Sequence, residues 1–254
     1  MMVGKCKLCG KDNVDLAESH IISEFIYRAT YDSKHRGIDV PANPDGRAEI
    51  IQKGARENLL CLDCENLLSK YENKLRDFLN EVITNDNNTI TRCYDKFKRM
   101  EKINYNDVKI ALLSILYRMS VSKLEQFKGY SLGPKEKIIK DIILNNKYTD
   151  EYTFSIHVKP ITMAGNYSPD QISPYQKKIK YKEIYTYNSF IIYGILFNIM
   201  LSNVPHDDTW HKFNMKENGT VILCDIDVRE VGIGEDILDR FRNDNLKSLI
   251  KKLK

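Results

Sequence analysis

The sequence lacks any long, uninterrupted apolar run. The longest apolar stretch, residues 190–201, contains Tyr193, Gly194 and Asn198, whereas a membrane-spanning helix needs about 20 mostly apolar residues. Residues 1–9 are polar and basic and contain no apolar core, a pattern that predicts the absence of a signal peptide. We therefore expect a cytoplasmic protein that does not enter a membrane.

The sequence also lacks a glycine-rich phosphate-binding loop, internal repeats and low-complexity tracts. Without such a loop, any nucleotide hydrolysis in a larger system must come from a partner, such as an ATPase subunit. Hydrophobic residues make up 42% and charged residues 29% of the chain, which is ordinary for a globular protein with a real core. Disorder is not the default expectation.

The net charge of +4 is small but unevenly distributed. Residues 1–92 carry 13 Lys and Arg against 15 Asp and Glu, a net charge of −2, while residues 93–254 carry 26 against 20, a net charge of +6. A chain of 254 residues exceeds the usual size of a single domain, so we expect two domains, at residues 1–92 and 93–254. The charge asymmetry fits a second domain that holds a polyanion. A charge of this size is equally compatible with ordinary solubility.

Two Cys-x-x-Cys pairs give the strongest signal in the sequence. Cys6 and Cys9 form the first pair, and Cys61 and Cys64 form the second. In a chain without an export signal, paired cysteines are more often metal ligands than disulfides. Four thiolates predict one structural Zn²⁺ in a closed tetrahedral site, which leaves no open position for chemistry. Free or disulfide-bonded cysteines are the alternative.

The pattern of apolar residues predicts an α+β fold. The first domain is a small zinc-stabilised module, and the second mixes helices with antiparallel strands. Apolar residues at helical spacing predict helices, and β-branched and aromatic runs predict strands. The expected helices are 24–30, 65–83, 107–127, 134–145 and 235–254, and the expected strands are 49–51, 153–163, 179–187, 190–201 and 220–228.

The order of motifs in residues 5–83 resembles that of the HNH, or ββα-metal, endonucleases. The first Cys-x-x-Cys pair is followed by Ser19-His20-Ile21-Ile22, and then by Asn58-Leu-Leu-Cys-x-x-Cys-Glu-Asn at the start of a helix. The similarity is greatest to phage resolvase-like, junction-resolving endonucleases and to defence-associated HNH proteins. It implies a histidine on a β-hairpin that faces a metal ligand on the following helix.

The resemblance implies that His20 is the general base of phosphodiester hydrolysis. Its ordinary pKa near 6.5 leaves the imidazole largely neutral at pH 7, so it can accept a proton from water. A hydrogen-bonded core histidine is the alternative interpretation. Asn58 resembles the middle asparagine of the family, which braces the loop, although Arg56 or Glu57 fits the same place.

The expected catalytic cation is Mg²⁺ or Mn²⁺, because the nearby candidate ligands offer oxygen atoms. Ser19 stands where the family usually has Asp, so the ligand set departs from the family pattern. Glu65 occupies the helix position, with Asn66 beside it. Glu72 follows two helical turns later on the same face, unless it is a solvated surface residue, and Glu18 is a further alternative.

A second group of candidates lies in the basic half of the chain. The residues expected to contact nucleic acid are four lysines interleaved with tyrosines, namely Lys177, Lys178, Lys180 and Lys182. Such a surface grips phosphates and stacks bases. A half-exposed strand gives the same spacing.

The sequence therefore predicts a metal-dependent HNH endonuclease that hydrolyses DNA, in the setting of bacterial anti-phage defence. The alternatives are a catalytically weakened, zinc-stabilised adaptor that binds nucleic acid or protein, and a zinc-ribbon regulator. The choice between DNA and RNA stays open, and so does a homodimer.

Overall fold

The chain combines helices with largely antiparallel sheets, as the sequence predicts. The computed structural model describes residues 2–28, 31–39, 49–84, 90–94, 97–128, 130–163, 166–167, 173–227 and 230. Within these residues there are four α-helices, a three-stranded sheet, a two-stranded sheet and a nine-stranded sheet. The α+β fold class is thereby confirmed.

The three-stranded sheet is built from residues near the two cysteine pairs. Its strands are β1 (Met2–Gly4), β2 (Val14–His20) and β5 (Arg56–Cys61), in the order β1-β2-β5. The strands β2 and β5 are antiparallel, with Leu16 opposite Cys61 and His20 opposite Arg56. The last residue of β2 therefore faces the first residue of β5.

The described residues between β2 and β5 form three short elements. They are α1 (Glu24–Tyr27), β3 (Gly37–Asp39) and β4 (Glu49–Ile51), the last two forming a hairpin. The Asp32 carboxylate accepts hydrogen bonds from the backbone of Lys34 and Arg36 and from the Arg36 guanidinium. This turn fixes the start of the loop that precedes β3.

The helix α2 (Leu62–Thr84) begins directly after β5. Its buried side chains recur at helical spacing, as the sequence predicts, and they are Cys64, Leu68, Tyr71, Leu75, Phe78, Leu79 and Val82. Burial of a stripe of this kind is what holds an amphipathic helix in place. The stripe packs against α3 (Tyr105–Val121).

The helix α3 is buried on almost every side. Asn104 caps its start by accepting a hydrogen bond from the backbone N–H of Asp107. Two charged residues, Lys109 and Arg118, are each only 1% exposed on this helix. The next helix, α4 (Lys135–Leu144), packs against α3.

The largest sheet is formed by strands from residues 90–227. Its strands are β6 (Ile90–Tyr94), β7 (Phe97–Met100), β8 (Ile156–Met163), β9 (Asn166–Tyr167), β10 (Ser173–Tyr181), β11 (Tyr185–Ile192), β12 (Ile195–Met200), β13 (Val221–Cys224) and β14 (Ile226–Asp227). Seven of them follow the order β10-β11-β12-β8-β13-β7-β6, and β9 and β14 both pair with β8. Most pairings are antiparallel; those of β13 and β14 with β8 are parallel.

Two of the predicted strands are wrong in their extent. Residues 179–187 and 190–201 each contain a turn, at Lys182-Glu183 and at Tyr193-Gly194. All four of these residues have positive φ, the conformation that lets a chain reverse between twisted antiparallel strands. The helix predicted over 107–127 ends earlier, at Val121, and the one predicted over 235–254 lies outside the described residues.

One apolar core joins the two halves of the chain. It includes Leu8, Leu60 and Leu75 from residues 1–92 and Leu112 and Phe197 from residues 93–254. The division into domains at residues 1–92 and 93–254 stays a prediction about independent folding. In the described part of the chain, no helix is long and apolar enough to cross a membrane.

Candidate functional site

The four cysteines of the two Cys-x-x-Cys pairs come together, as the sequence predicts. Their Sγ atoms all lie within 4.8 Å of one another. The Sγ atoms of Cys6 and Cys64 are 3.7 Å apart, and those of Cys9 and Cys61 are 3.8 Å apart. A tetrahedral zinc site with Zn–S bonds of about 2.3 Å has sulfur–sulfur distances of about 3.8 Å. The cluster therefore fits Zn²⁺.

Backbone hydrogen bonds shape the first cysteine pair into a tight knuckle. The N–H of Gly10 donates to the carbonyl of Cys6 at 2.9 Å, and Gly10 has a φ of 80°, a conformation that glycine adopts readily. The backbone N–H of Cys61 donates to Sγ of Cys6 at 3.3 Å. The hydroxyl of Tyr117 donates to the carbonyl of Lys7 at 2.6 Å, so α3 also supports the knuckle.

The thiols of the cluster differ in their pKa values. Burial raises the pKa of the Cys6 thiol, but donation from backbone N–H groups, that of Cys61 first, outweighs it and brings the pKa to about 7. Burial and the negative charge of Cys6 raise the pKa of Cys64. Because a bound metal needs every ligand as a thiolate, zinc binding releases protons from this cluster.

His20 lies at the end of β2 in a partly buried, charged environment. Its Nε2 atom is 2.7 Å from Oε2 of Glu24, and Nη2 of Arg56 is 3.5 Å from the same oxygen. Burial, followed by the positive charge of Arg56, lowers the pKa of His20, and Glu24 opposes this shift. The imidazole is therefore neutral at neutral pH.

The loop after α1 brings a second histidine to the same carboxylate. Nε2 of His35 lies 3.5 Å from Oε1 of Glu24, and its side chain is 59% exposed. Its ring contacts that of Tyr31, with centroids 4.3 Å apart. Glu24 thus lies between two imidazoles, one partly buried and one open to solvent.

Glu65 is located in the first turn of α2, close to the end of β2. Burial raises the pKa of its carboxyl group, and a hydrogen bond with Ser19 opposes this shift. The Ser19 hydroxyl also accepts the backbone N–H of Leu60 at 3.2 Å. Ser19 therefore links the two strands to the helix. In the HNH family that the sequence resembles, this position is usually Asp.

Glu72 is bound by an arginine from residues 93–254. Nη2 of Arg118 donates to Oε1 of Glu72 at 2.6 Å, and Nη1 donates to the carbonyl of His20 at 2.8 Å. Burial raises the pKa of Glu72, but the positive charge of Arg118 outweighs it, so the pKa lies below its usual value. The Glu72 carboxylate is a partner of an arginine and not a solvated surface group.

The two asparagines predicted as site residues, Asn58 and Asn66, are both exposed. In the strand pair, Asn58 lies opposite Glu18 and not opposite His20. Arg56, one of the two alternatives to Asn58, is the residue that faces His20. The other, Glu57, accepts hydrogen bonds from residues 122 and 123, directly after the C-terminal end of α3.

Several buried polar atoms near His20 have no hydrogen bond of ordinary geometry within the described residues. They are Nε2 of His20, Oε2 of Glu24, Nε of Arg56 and Oε1 of Glu65. The 2.7 Å contact between His20 and Glu24 is thus close without being a well-directed hydrogen bond. Because buried polar atoms are nearly always paired in native proteins, this cluster is the candidate site next to the cysteines.

The predicted lysine surface is only partly described. Lys180 is exposed, while Nζ of Lys182 is 2.6 Å from Oδ2 of Asp208, so its charge is paired. The side chains of Lys177 and Lys178 lie outside the described residues. The rings of Tyr181 and Tyr187 each pack 5.0 Å from that of Trp210, which takes them out of a free stacking surface.

Two of the residues around His20, Glu24 and Arg118, are not identified by the sequence pattern. A third, Arg56, is predicted only as an alternative to Asn58. Glu24 follows His20 by four residues, but no motif identifies it. Arg118 carries a signal, since a charged residue inside a largely apolar helix pattern needs a buried partner.

Comparisons with protein-family models, with curated proteins and with solved structures gave no match. The resemblance to HNH endonucleases therefore depends on the motif residues of the sequence.

Proposed function

We propose that this chain is an HNH-type endonuclease that hydrolyses phosphodiester bonds in DNA with a divalent cation. The observation that carries the proposal is the ββα unit formed by β2, β5 and α2. In this unit His20 ends the first strand, Glu65 lies in the first turn of the helix, and the cysteine cluster fastens the strand to the helix. The family resemblance implies this order of elements.

His20 is the general base in this proposal. Its neutral imidazole takes a proton from the water that attacks phosphorus. Glu24, 2.7 Å from Nε2, orients the ring and stabilises the imidazolium that forms. Because Nε2 faces Glu24, Nδ1 is the nitrogen that accepts the proton.

Arg56 meets the substrate phosphate. Its guanidinium lies beside His20 across the strand pair, and Nη1 is 3.3 Å from Oε2 of Glu18, a side chain that is 58% exposed. Arginine binds phosphate through paired N–H donors. A phosphate group replaces the exposed Glu18 carboxylate as the partner of Arg56 when DNA binds.

A divalent cation, when bound, would supply stabilisation for the charge on the phosphoryl and leaving oxygens. Glu65 is the residue that would hold it, because Oε1 is buried without a hydrogen bond and carboxylate oxygen suits Mg²⁺ or Mn²⁺. Glu72 and Asn66 fit the ligand role poorly, since Arg118 binds the first and the second is exposed. Within the described residues, the cysteine cluster is the only group of three or more His, Cys, Asp or Glu ligands.

The test is cleavage of supercoiled plasmid by the zinc-loaded protein in a titration with Mg²⁺ or Mn²⁺. We expect nicking that depends on the added cation, and a shift of the midpoint to higher cation concentration, by roughly tenfold or more, in Glu65→Ala. Asp77→Ala is the matched control, because Asp77 is an exposed carboxylate on the same helix. No cleavage of DNA or RNA by the wild type under any condition would contradict the proposal.

A second candidate is an adaptor that binds nucleic acid or protein and has weak or no catalysis. The pairing of Glu72 with Arg118 and the hydrogen-bonding role of Ser19 favour it, because both reduce the number of free cation ligands. The same assay separates the two, since an adaptor retains binding in a gel-shift experiment without nicking.

The biological setting belongs to the proposal too. A nuclease of this kind suits bacterial anti-phage defence, with ATP hydrolysis supplied by a partner such as an ATPase subunit. A homodimer would place two sites on one duplex. Phage plating on cells that express wild type or His20→Ala measures the defence role.

A further inference from the structure

Arg118 is a buried charge that reaches the candidate site from the basic part of the chain, residues 93–254. Its side chain is 1% exposed, and a fully buried arginine is rare unless its donors are satisfied. Two of those donors are used on groups of the site, the carbonyl of His20 at 2.8 Å and Oε1 of Glu72 at 2.6 Å. A third, Nε, is 3.4 Å from the carbonyl of Ser114 on its own helix.

The peptide unit between His20 and Ile21 is held at both of its polar groups. Its carbonyl accepts from Arg118, and its N–H, on Ile21, donates to the carbonyl of Ala55 at 2.9 Å. The C=O and N–H of a planar peptide unit point in opposite directions, so the two hydrogen bonds hold this unit from both sides. They hold the backbone position from which the His20 side chain extends.

Stability alone gives no reason for a charge at this position. Replacing a buried ion pair with apolar residues of similar volume is often neutral or stabilising, because desolvation offsets the attraction between the charges. An apolar residue at position 118 would suit the surrounding α3 residues, which are buried. A positioning role explains the arginine, since its planar fork directs one N–H donor to the carboxylate and another to the carbonyl in a fixed geometry.

We infer that Arg118 is a positioning residue that holds the backbone of His20, and with it the place of the imidazole in the site, through the His20 carbonyl, with Glu72 holding the guanidinium in place. The inference deepens the proposed function, and its effect on catalysis rests on that function. Its structural part, the position of His20, does not. Residues 93–254 thereby complete the site of the ββα unit.

The experiment follows the ring signals of His20 by NMR in the full-length, zinc-loaded chain. The chain has five histidines, and His20→Ala identifies the relevant signal. Arg118→Lys keeps the charge but not the fork. The double variant Arg118→Met with Glu72→Met removes both charges and leaves neither unpaired. Lys109→Met is the matched control, because Lys109 is an equally buried cation on the same helix and contacts Tyr105 and Asp150 instead.

We expect shifted or broadened His20 ring signals in both Arg118 variants and unchanged signals in Lys109→Met. Where the wild type cleaves DNA, the single-turnover rate of Arg118→Lys falls roughly 10²-fold, since a displaced group loses about this much, while the DNA dissociation constant stays within about twofold of the wild-type value.

His20 signals that coincide with those of the wild type in both Arg118 variants overturn the inference, whatever the cleavage assay gives. If the wild type cleaves nothing, the proposed function fails, and the ring signals still decide the positioning role. If both Arg118 variants fail to fold while Lys109→Met folds, Arg118 is a structural residue and the inference is wrong.

Discussion

Lys109 shows how one buried charge sets a pH dependence for the whole fold. Its side chain is 1% exposed, and Nζ donates to the hydroxyl of Tyr105 at 2.8 Å and to the carbonyl of Asp150 at 2.7 Å. Burial lowers its pKa from 10.5 to about 7, against the attraction of nearby carboxylates. The folded protein therefore releases this proton at a lower pH than the unfolded chain does.

This difference predicts that stability rises with pH in a defined window. Between pH about 7 and 10.5 the unfolded lysine keeps a proton that the folded one has lost, so the free energy of unfolding increases with pH through that range. The contribution is on the order of a few kcal/mol across the window. Urea denaturation at about pH 7 and about pH 9.5 measures it, and Lys109→Met removes that part of the rise.

Lys137→Met is the matched control for this measurement, because Lys137 is exposed on α4. It keeps the wild-type rise. Equal increases in stability for wild type and Lys109→Met between the two pH values would contradict the burial argument.

At the scale of single residues, local motifs predict only part of the site. The cysteines and His20 belong to short patterns with chemical meaning, and the clustering of the cysteines is confirmed. Arg118 contacts the His20 carbonyl across nearly a hundred residues of sequence, and such contacts depend on how α3 packs. No pattern in one sequence reports that packing.

At the scale of elements, the cysteine cluster spans the junction between β5 and α2. Cys61 ends β5 and Cys64 lies in the first turn of α2, so a metal held by both would fix the angle between strand and helix. The same helix carries Glu65. Zinc binding in such a site is coupled to folding.

We predict about one tightly bound Zn²⁺ per chain, and its loss with disruption of the small sheet in Cys61→Ser. Structural zinc sites contribute on the order of 10 kcal/mol of folding free energy, so the three remaining thiolates cannot hold the module at low free zinc. Zinc content by elemental analysis, with circular dichroism, measures both effects.

Cys224→Ser keeps its zinc and serves as the control, because Cys224 is outside the cluster. Freshly purified wild type without zinc, or Cys61→Ser with a full equivalent, would rule out the zinc assignment.

Helices are more readily predicted here than strand boundaries. The apolar stripe of α2 repeats over the whole helix, so periodicity identifies it. The turn at Lys182-Glu183 has positive φ at both residues without glycine or asparagine, and a conformation that is uncommon for such residues carries no sequence signal. The turn at Tyr193-Gly194 has glycine at only one position. The sequence pattern therefore predicts one longer strand across each of these two turns.

At the scale of the whole molecule, the two halves share one core and one candidate site. Tyr117 supports the first cysteine knuckle, and Arg118, the next residue, holds His20 and Glu72. The charge asymmetry that suggested two separate roles is present in the sequence. This charge asymmetry does not reveal that α3, which belongs to the basic residues 93–254, helps to build the candidate site of the acidic residues 1–92.

The most direct test of the account is the single-turnover rate of DNA cleavage by His20→Ala relative to the wild type, measured with zinc-loaded protein and saturating Mn²⁺. General-base assistance acts in the transition state, so the account predicts a rate lower by roughly 10² to 10⁴-fold with a nearly unchanged DNA dissociation constant. His206→Ala is the control, because His206 is an exposed histidine in a loop, and this variant should cleave at the wild-type rate. Cleavage by His20→Ala at the wild-type rate would contradict the assignment of His20 as the base.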